Sequence, residues 1–417
     1  MIDEHHDLLA GLDDVDWAGL SHAHGSAEDV PGRMRALCGT DDQARQEAFH
    51  SLSNSIFHQG SRYQASAHAV PFLARIAVAG PPAAREDTGW LLTRLAVDWH
   101  DEYDLTTGIN TAGWRAAAAE HSPEKVLPWY EEQLAAATDE DRRTMLREIR
   151  DWVAAGNSPD ARWSALRGYD AVLAELPGLL VLLDDADPRI RTRIAYLLAW
   201  FPEVAATTLP LLLARTARED DPVVTATALV AVGLIGTAAQ AADLAPYLDA
   251  DEPLVRWAAA TALVRLTNHR QDAVEPRLLD RAVAELTTAA DNPAPTRVTD
   301  YNEGDFHGHI ERTLRSLPTG APQAALAACL PRVERDRDGH RTRTALDKLF
   351  PTPLPDPLPA YADLPVRQRQ LLGALAEHHH PWIVRWVSGT LAERGLPDSQ
   401  DGLRAYVGLP GTDRAAR

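Results

Sequence analysis

An all-α solenoid of stacked helix pairs is the fold this sequence predicts, and three observations predict it. One pattern is written three times between Leu176 and Thr267: LPGLLVLLDDADPRIRTRIAYLLAWF, TLPLLLARTAREDDPVVTATALVAVGLIG and DLAPYLDADEPLVRWAAATALVRLT. Aligned on Asp187-Pro188, Asp221-Pro222 and Glu252-Pro253, the copies recur after 34 and then 31 residues, the mark of a stacked array. Within each copy the positions two, six and ten after the proline are apolar: Ile190, Ile194 and Leu198; Val224, Ala228 and Val232; Val255, Ala259 and Leu263. That spacing keeps one helix face apolar. Finally, the 29 prolines and 25 glycines fall mostly between apolar runs, as many short helices joined by turns require.

Each proline opens a helix. It sits where a first-turn N–H has no partner anyway, and the acid before it can cap that turn. A second apolar run precedes each step (Leu179 to Leu183, Leu209 to Leu213, Leu244 to Leu248), so a unit reads helix, acidic turn, helix. Neither helix buries its apolar face alone, and neighbours must stack.

The acid-Pro step followed by an apolar residue and then Arg191 or Arg256 resembles the HEAT repeats and the related lyase-type HEAT-like repeats. The middle unit departs, with Thr225 where the arginine is expected, and a fainter copy runs from Asp42 through Ala44-Arg45, Ala48 and Leu52. The resemblance implies stacked HEAT-like helix pairs with a helical C-terminal cap. It is nearly silent on activity, because such repeats serve scaffolds, adaptors, inhibitors and a few enzymes.

Composition bounds the function classes. A chain of 417 residues with 45% hydrophobic content can bury a large core. Cys38 and Cys329 are too few for a disulfide framework or the usual structural zinc site. The acidic start MIDEHHDLLAGLDDVDW lacks the basic residues and apolar core of a signal peptide. No stretch reaches the roughly 18 consecutive apolar residues of a membrane helix, and a cytoplasmic location without membrane contact is expected. A formal charge of −19 opposes binding to duplex nucleic acid, whose phosphates attract basic surfaces. Lysine occurs only at Lys125 and Lys348, so arginine carries nearly all positive charge and no single arginine stands out as a ligand.

Along the chain, residues 1–100 read as an irregular helical entry containing the faint repeat. A turn is expected at His24-Gly25-Ser26, and a loop at 58–61 would present His58 and Gln59 to a partner. Region 101–175 reads as linking helices after an acidic segment, in which Asp98, His100, Asp101, Glu102 and Asp104 supply donors for a divalent cation. The clear repeats occupy 176–290. Residues 291–350 hold a polar loop, Asp300 to Glu311, and further helices. There His307 and His309 could reach one metal together with Asp305 if the backbone were extended. A Pro-rich connector at 351–360 reads as an extended spacer, and 361–417 as a helical cap with His378, His379 and His380 near a helix end.

Chemical signatures are missing. No two glycines stand two apart, neither lysine follows a glycine, and H-E-x-x-H, C-x-x-C and G-x-S-x-G do not occur, so no catalytic residue and no cofactor is assigned. The expected function is a non-catalytic scaffold or adaptor holding another protein in a solenoid groove, with a basic partner favoured by the chain's charge. One form is an inhibitor or immunity protein. Partner contacts are expected at Arg193, His58 and Gln59, and at Trp257 if its ring, next to the core positions, is displayed as an interface anchor rather than buried against the following unit. The alternative is an enzyme on HEAT-like repeats, of DNA glycosylase, bilin lyase or metal-dependent type, with a dispersed site.

Overall fold

The computed structural model describes residues 8–98, 110–267, 274–317, 333, 340–383 and 386–410. The chain divides into two compact units, Met1–Ala273 and Val274–Arg417.

The first unit is built from α1 (Val30–Leu37), α2 (Asp42–Ile56), α3 (Gln64–Ala79), α4 (Pro82–Ala96), α5 (Thr111–Ala119), α6 (Pro123–Ala136), α7 (Glu140–Ala154), α8 (Ala161–Leu179), α9 (Pro188–Leu198), α10 (Ala205–Thr216), α11 (Pro222–Ile235), α12 (Ala241–Leu244) and α13 (Pro253–Leu266). The acid-Pro steps open α9, α11 and α13 as expected. Asp187 caps the Arg189 N–H, and Asp221 caps those of Val223 and Val224. All nine residues at the two, six and ten positions are buried.

Helix α9 packs on α4, α11 on α9 and α10, and α13 on α11, while α8 lies across α3 and α4. The pair α3/α4 is therefore followed in space by α8/α9, although residues 97–160 intervene in the chain. Two glycines set the closest approaches. A Cβ on Gly233 of α11 would overlap Ala262 of α13, and one on Gly168 of α8 would lie 2.6 Å from the Leu95 carbonyl oxygen.

The repeat arginine has a defined task. Nη1 of Arg191 donates to Asp185 O at 2.7 Å, Nη1 of Arg256 to Ala250 O at 2.8 Å, and Nη1 of Arg45 in the faint copy to Gly39 O at 2.7 Å. Each arginine thus closes the turn before its own helix, satisfying a carbonyl six residues upstream. Arg143 of α7 makes the same bond to Ala137 O at 2.8 Å, behind the cap Asp139, which marks α6/α7 as a further copy. In the middle unit Thr225 cannot reach that far. Glu219 closes that turn instead, accepting from the N–H groups of Asp220 and Asp221 at 3.1 and 3.0 Å.

Two short antiparallel hairpins interrupt the all-helical pattern: β1 (Ser21–His22) with β2 (Gly25–Ser26), and β3 (Phe57–His58) with β4 (Ser61–Arg62). No single described helix is long and apolar enough to cross a membrane. Residues 188–198 and 202–216 pass that test only as a pair, bent by 95°.

The second unit contains α14 (Pro276–Asp291), α15 (Phe306–Arg315), α16 (His340–Leu349), α17 (Val366–Glu377), α18 (His380–Ile383), α19 (Trp386–Ala392) and α20 (Gln400–Val407). Leu346, Phe350, Leu371, Leu375, Val387, Leu391 and Leu403 share one buried core, against which Leu354 and Leu358 pack. The Pro-rich connector is consequently tied down rather than acting as a free spacer. Leu354 N–H donates to Arg394 O at 2.9 Å, and the Tyr406 hydroxyl to Pro359 O at 2.8 Å.

Candidate functional site

The two hairpins come together at one edge of the first unit, and their tips carry the most elaborately supported polar side chains there. Helix α2 ends at Ile56 and the chain reverses through Gln59 and Gly60, at φ values of 50° and 85°. Two successive left-handed residues give the turn whose twist matches a two-residue hairpin. A side chain at position 60 would be strained at that φ and would overlap the Asp98 carboxylate. Beneath the turn Arg62 donates to Gly60 O at 3.0 Å and lies 4.0 Å from Asp98, both side chains almost fully buried.

The first hairpin is bound to the same helix ends. Ser21 donates from its N–H and hydroxyl to Gln64 Oε1 of α3 at 2.9 and 2.6 Å, and Ala23 N–H donates to Ser55 O of α2 at 3.0 Å. His22 is buried. Its Nδ1 accepts from the His24 N–H at 3.1 Å, so Nε2 carries the ring proton and donates to Asp29 Oδ1 at 2.9 Å. Burial pushes the Asp29 carboxyl up, but hydrogen bonds from Arg33 and His22 outweigh it and hold the group below its usual range.

Above this base the rings of His22, His24 and His58 follow one another edge to face, 6.0 and then 5.3 Å between centroids. His24, Gly25, Ser26 and Gln59 are exposed and His58 is half-buried. The result is a rim of imidazole, amide and hydroxyl groups on a base made by the buried Arg62–Asp98 pair and the His22–Asp29 hydrogen bond. Such a rim can donate and accept hydrogen bonds at fixed positions without paying to order itself.

Of the residues the sequence singled out, the structure brings His58 and Gln59 together here. It adds His24, from the expected turn at 24–26, and Asp98, from the acidic segment, together with His22, Asp29 and Arg62, which carried no sequence signal of their own. Asp98 was grouped with His100, Asp101, Glu102 and Asp104, and those four lie outside the described residues.

Trp257 and Arg193 are engaged inside the fold. Trp257 is 1% exposed, within a helix buried on nearly every side, so it packs the core and cannot anchor a partner. Arg193 reaches across to α4, where Nη2 lies 3.5 Å from Glu86 Oε1 and the side-chain stem packs over Gly89. It staples two stacked helices.

His307 and His309 do not converge on a metal, because residues 306–315 are helical and a two-residue step on a helix turns about 200°. His307 donates from Nε2 to Asn292 O at 2.9 Å, and burial lowers its pKa. His309 is buried with its ring 5.9 Å from that of Tyr301. Asp305 caps the helix, accepting from Gly308 N–H at 3.0 Å. Among the triple histidines, His378 follows the last turn of α17, and His379 Nδ1 pairs with Gln400 Oε1 at 2.9 Å. No group of three metal donors occurs among the described residues.

The described architecture is that of an all-α helical-repeat protein. No protein-family model matches the chain, and no curated protein matches it. Among solved structures, it is similar to an engineered protein known from a crystal structure, with 15% identity over 92% of this chain and 100% of that one, at a TM-score of 0.25. It is also similar to a chain in the Pds5-Scc1 complex, a structure described for its implications for cohesin function. There the identity is 11%, over 86% of this chain and 61% of that one, at a TM-score of 0.20. At such TM-scores neither likeness bears on function.

Proposed function

We propose that this chain is a non-catalytic adaptor that holds another protein, and that the twin-hairpin edge is part of the surface it presents. The observation carrying this reading is the buried Arg62–Asp98 pair under the Gln59-Gly60 turn. It supports a non-glycine residue in a left-handed conformation, a cost of order 1–3 kcal/mol that persists where the surroundings fix it and that clusters at binding sites. Helices α11 and α13 are poor alternative surfaces, since α11 is buried from Val223 to Ile235 and α13 from Leu254 onward except Arg256.

The charge of −19 favours a basic partner, chiefly through encounter rate and selectivity. It fits an inhibitor or immunity protein for a basic toxin or nuclease, acting in the cytoplasm. The same charge works against duplex DNA as a ligand.

Affinity capture from native extract with the full chain tests the proposal. Wild type is expected to retain one stoichiometric basic protein that is released as salt rises, and a His24→Ala/Gln59→Ala variant is expected to lose it. Retention of the same protein by that variant would exclude the hairpin edge. Recovery of no partner, with a ligand or chromophore retained on the purified chain instead, would exclude the adaptor reading.

A further inference from the structure

The tip of the first hairpin is held by an imidazole that can accept a hydrogen bond only while it is uncharged. Nδ1 of His22 accepts from the His24 N–H at 3.1 Å, and Nε2, which carries the ring proton, donates to Asp29 Oδ1 at 2.9 Å. A second proton would go to Nδ1, because an imidazolium has donors at both nitrogens and no acceptor. There it would meet the His24 N–H donor to donor. The rest of the hairpin is anchored elsewhere. Ser21 is tied to Gln64 of α3, the Ala23 N–H to Ser55 O of α2, and the Ala27 N–H to Leu20 O at 2.9 Å, while the ladder pairs Ser21 with Ser26 and His22 with Gly25. Of the hairpin's backbone donors, the His24 N–H is the one that depends on a side chain able to titrate.

The groups around His22 decide what a proton does there. Asp29 of α1 keeps accepting from Nε2 in either state, and its carboxylate favours an imidazolium beside it, whereas Arg33, which shares Asp29 at 2.8 Å, opposes one. Helix α3 offers the uncharged Gln64, and α2 the Ser55 carbonyl. Next in line come the rings of His24, 6.0 Å from that of His22, and of His58, 5.3 Å further on, with the buried Arg62–Asp98 pair beneath the turn that follows. Among the described residues Asp29 is the only carboxylate paired with any of the three rings. Like charges on successive rings at such separations repel. Every proton added therefore pushes the tip the same way, off His58.

We propose that the first hairpin is a proton-operated latch: while His22 is uncharged its Nδ1 holds the His24 tip against His58, and a proton on that nitrogen lets the tip go. The latch rests on the hairpin's own contacts and goes beyond the adaptor reading, whatever the edge binds. Amide hydrogen exchange of the full chain, resolved to single residues and corrected for the intrinsic pH dependence of exchange, tests it together with the nitrogen NMR signal of His22 Nδ1. Between about pH 8 and pH 5, the span in which an imidazole changes charge, protection of the His24 amide is expected to fall about tenfold, the equivalent of one hydrogen bond. The midpoint of that fall is expected to coincide with protonation of Nδ1. The Ala23 amide, bound to Ser55 O, is expected to stay protected. His22→Asn, which sets a non-titrating acceptor in place of Nδ1, is expected to keep the His24 amide protected across the whole span. Equal protection of wild-type His24 at both ends overturns the proposal, as does a His22 ring that protonates while the His24 amide stays protected. So does loss of Ala23 protection together with that of His24, or an acid loss that persists in His22→Asn. The wild-type comparison decides by itself should that variant not fold.

Discussion

Arg191 grips the buried carboxylate of Glu219 with two parallel bonds, Nε to Oε2 and Nη2 to Oε1, each 2.8 Å. The Glu219 side chain is only 1% exposed, and Arg215 Nε stands 3.2 Å away on its other side. This pair joins two consecutive repeats. The arginine that closes its own turn also neutralises the acid closing the next one. Arg191→Met is therefore expected to leave the buried carboxylate with Arg215 as its one remaining cation and cost about 3 kcal/mol, read as a lower urea midpoint, and a change below 1 kcal/mol would show the pair to be incidental.

The same group sets an acid limit. Burial pushes the Glu219 carboxyl up, but the bonds from Arg191 and the Asp221 N–H, with the nearby Arg215 charge, prevail and hold it below its ordinary value of 4.5. A folded pKa below the unfolded one gives a stability contribution that is complete above pH 4.5 and drains as pH falls through the folded value. Urea titrations from pH 6 to pH 3 should show a shallower loss in Glu219→Gln than in wild type. Parallel curves would mean that other carboxylates dominate.

Core packing predicts two further magnitudes. Leu198→Ala or Leu263→Ala removes a fully buried side chain and should cost about 2–5 kcal/mol. Gly233→Ala adds only a methyl, but that methyl meets Ala262 where α11 and α13 touch. Forcing the helices apart should cost about 1–3 kcal/mol, against the usual gain from replacing a helical glycine. Denaturant unfolding that shows Gly233→Ala to be stabilised would refute the close approach.

The inserted residues are latched by a buried phenol. Tyr169 of α8 donates to Glu203 Oε2 at 2.6 Å, and Arg115 of α5 bridges Glu203 and Asp170 at 3.0 and 2.6 Å. Burial, and then the Glu203 carboxylate, raise the Tyr169 pKa far out of reach, so the hydroxyl stays a donor. Arg115→Ala is expected to free α5, and limited proteolysis should then cut within residues 99–160 severalfold faster. An unchanged cleavage rate would show that Trp114, whose ring lies 5.2 Å from that of Tyr169, holds the insert by itself.

What was legible in the sequence was local. The acid-Pro steps, their apolar offsets and the Arg45 copy all rest on contacts within one helix and the turn before it. The stacking of α4 on α9 was not legible, because the intervening chain contributes nothing to that contact. The α6/α7 copy hid because Asp139 is not followed by proline and α7 buries only two residues. His307 and His309 misled because a shared face at a two-residue step presumes an extended chain, while Asp305 starts a helix there. Trp257 could not be assigned from pattern, since α13 is buried on nearly every side and such a helix shows no polar stripe to orient it. His58 and Gln59 were visible as a loop, but the ion pair that holds them joins residues 36 apart.

Site-specific photo-crosslinking in the native cell shows whether the twin-hairpin edge contacts a protein partner. Gln59→p-benzoylphenylalanine is expected to give one discrete adduct to a basic protein, which His24→Ala weakens and which the same probe at the distant exposed position Leu211 does not form. A probe at position 59 that yields no adduct, while the probe at position 211 captures the partner, would place the partner surface away from the twin-hairpin edge.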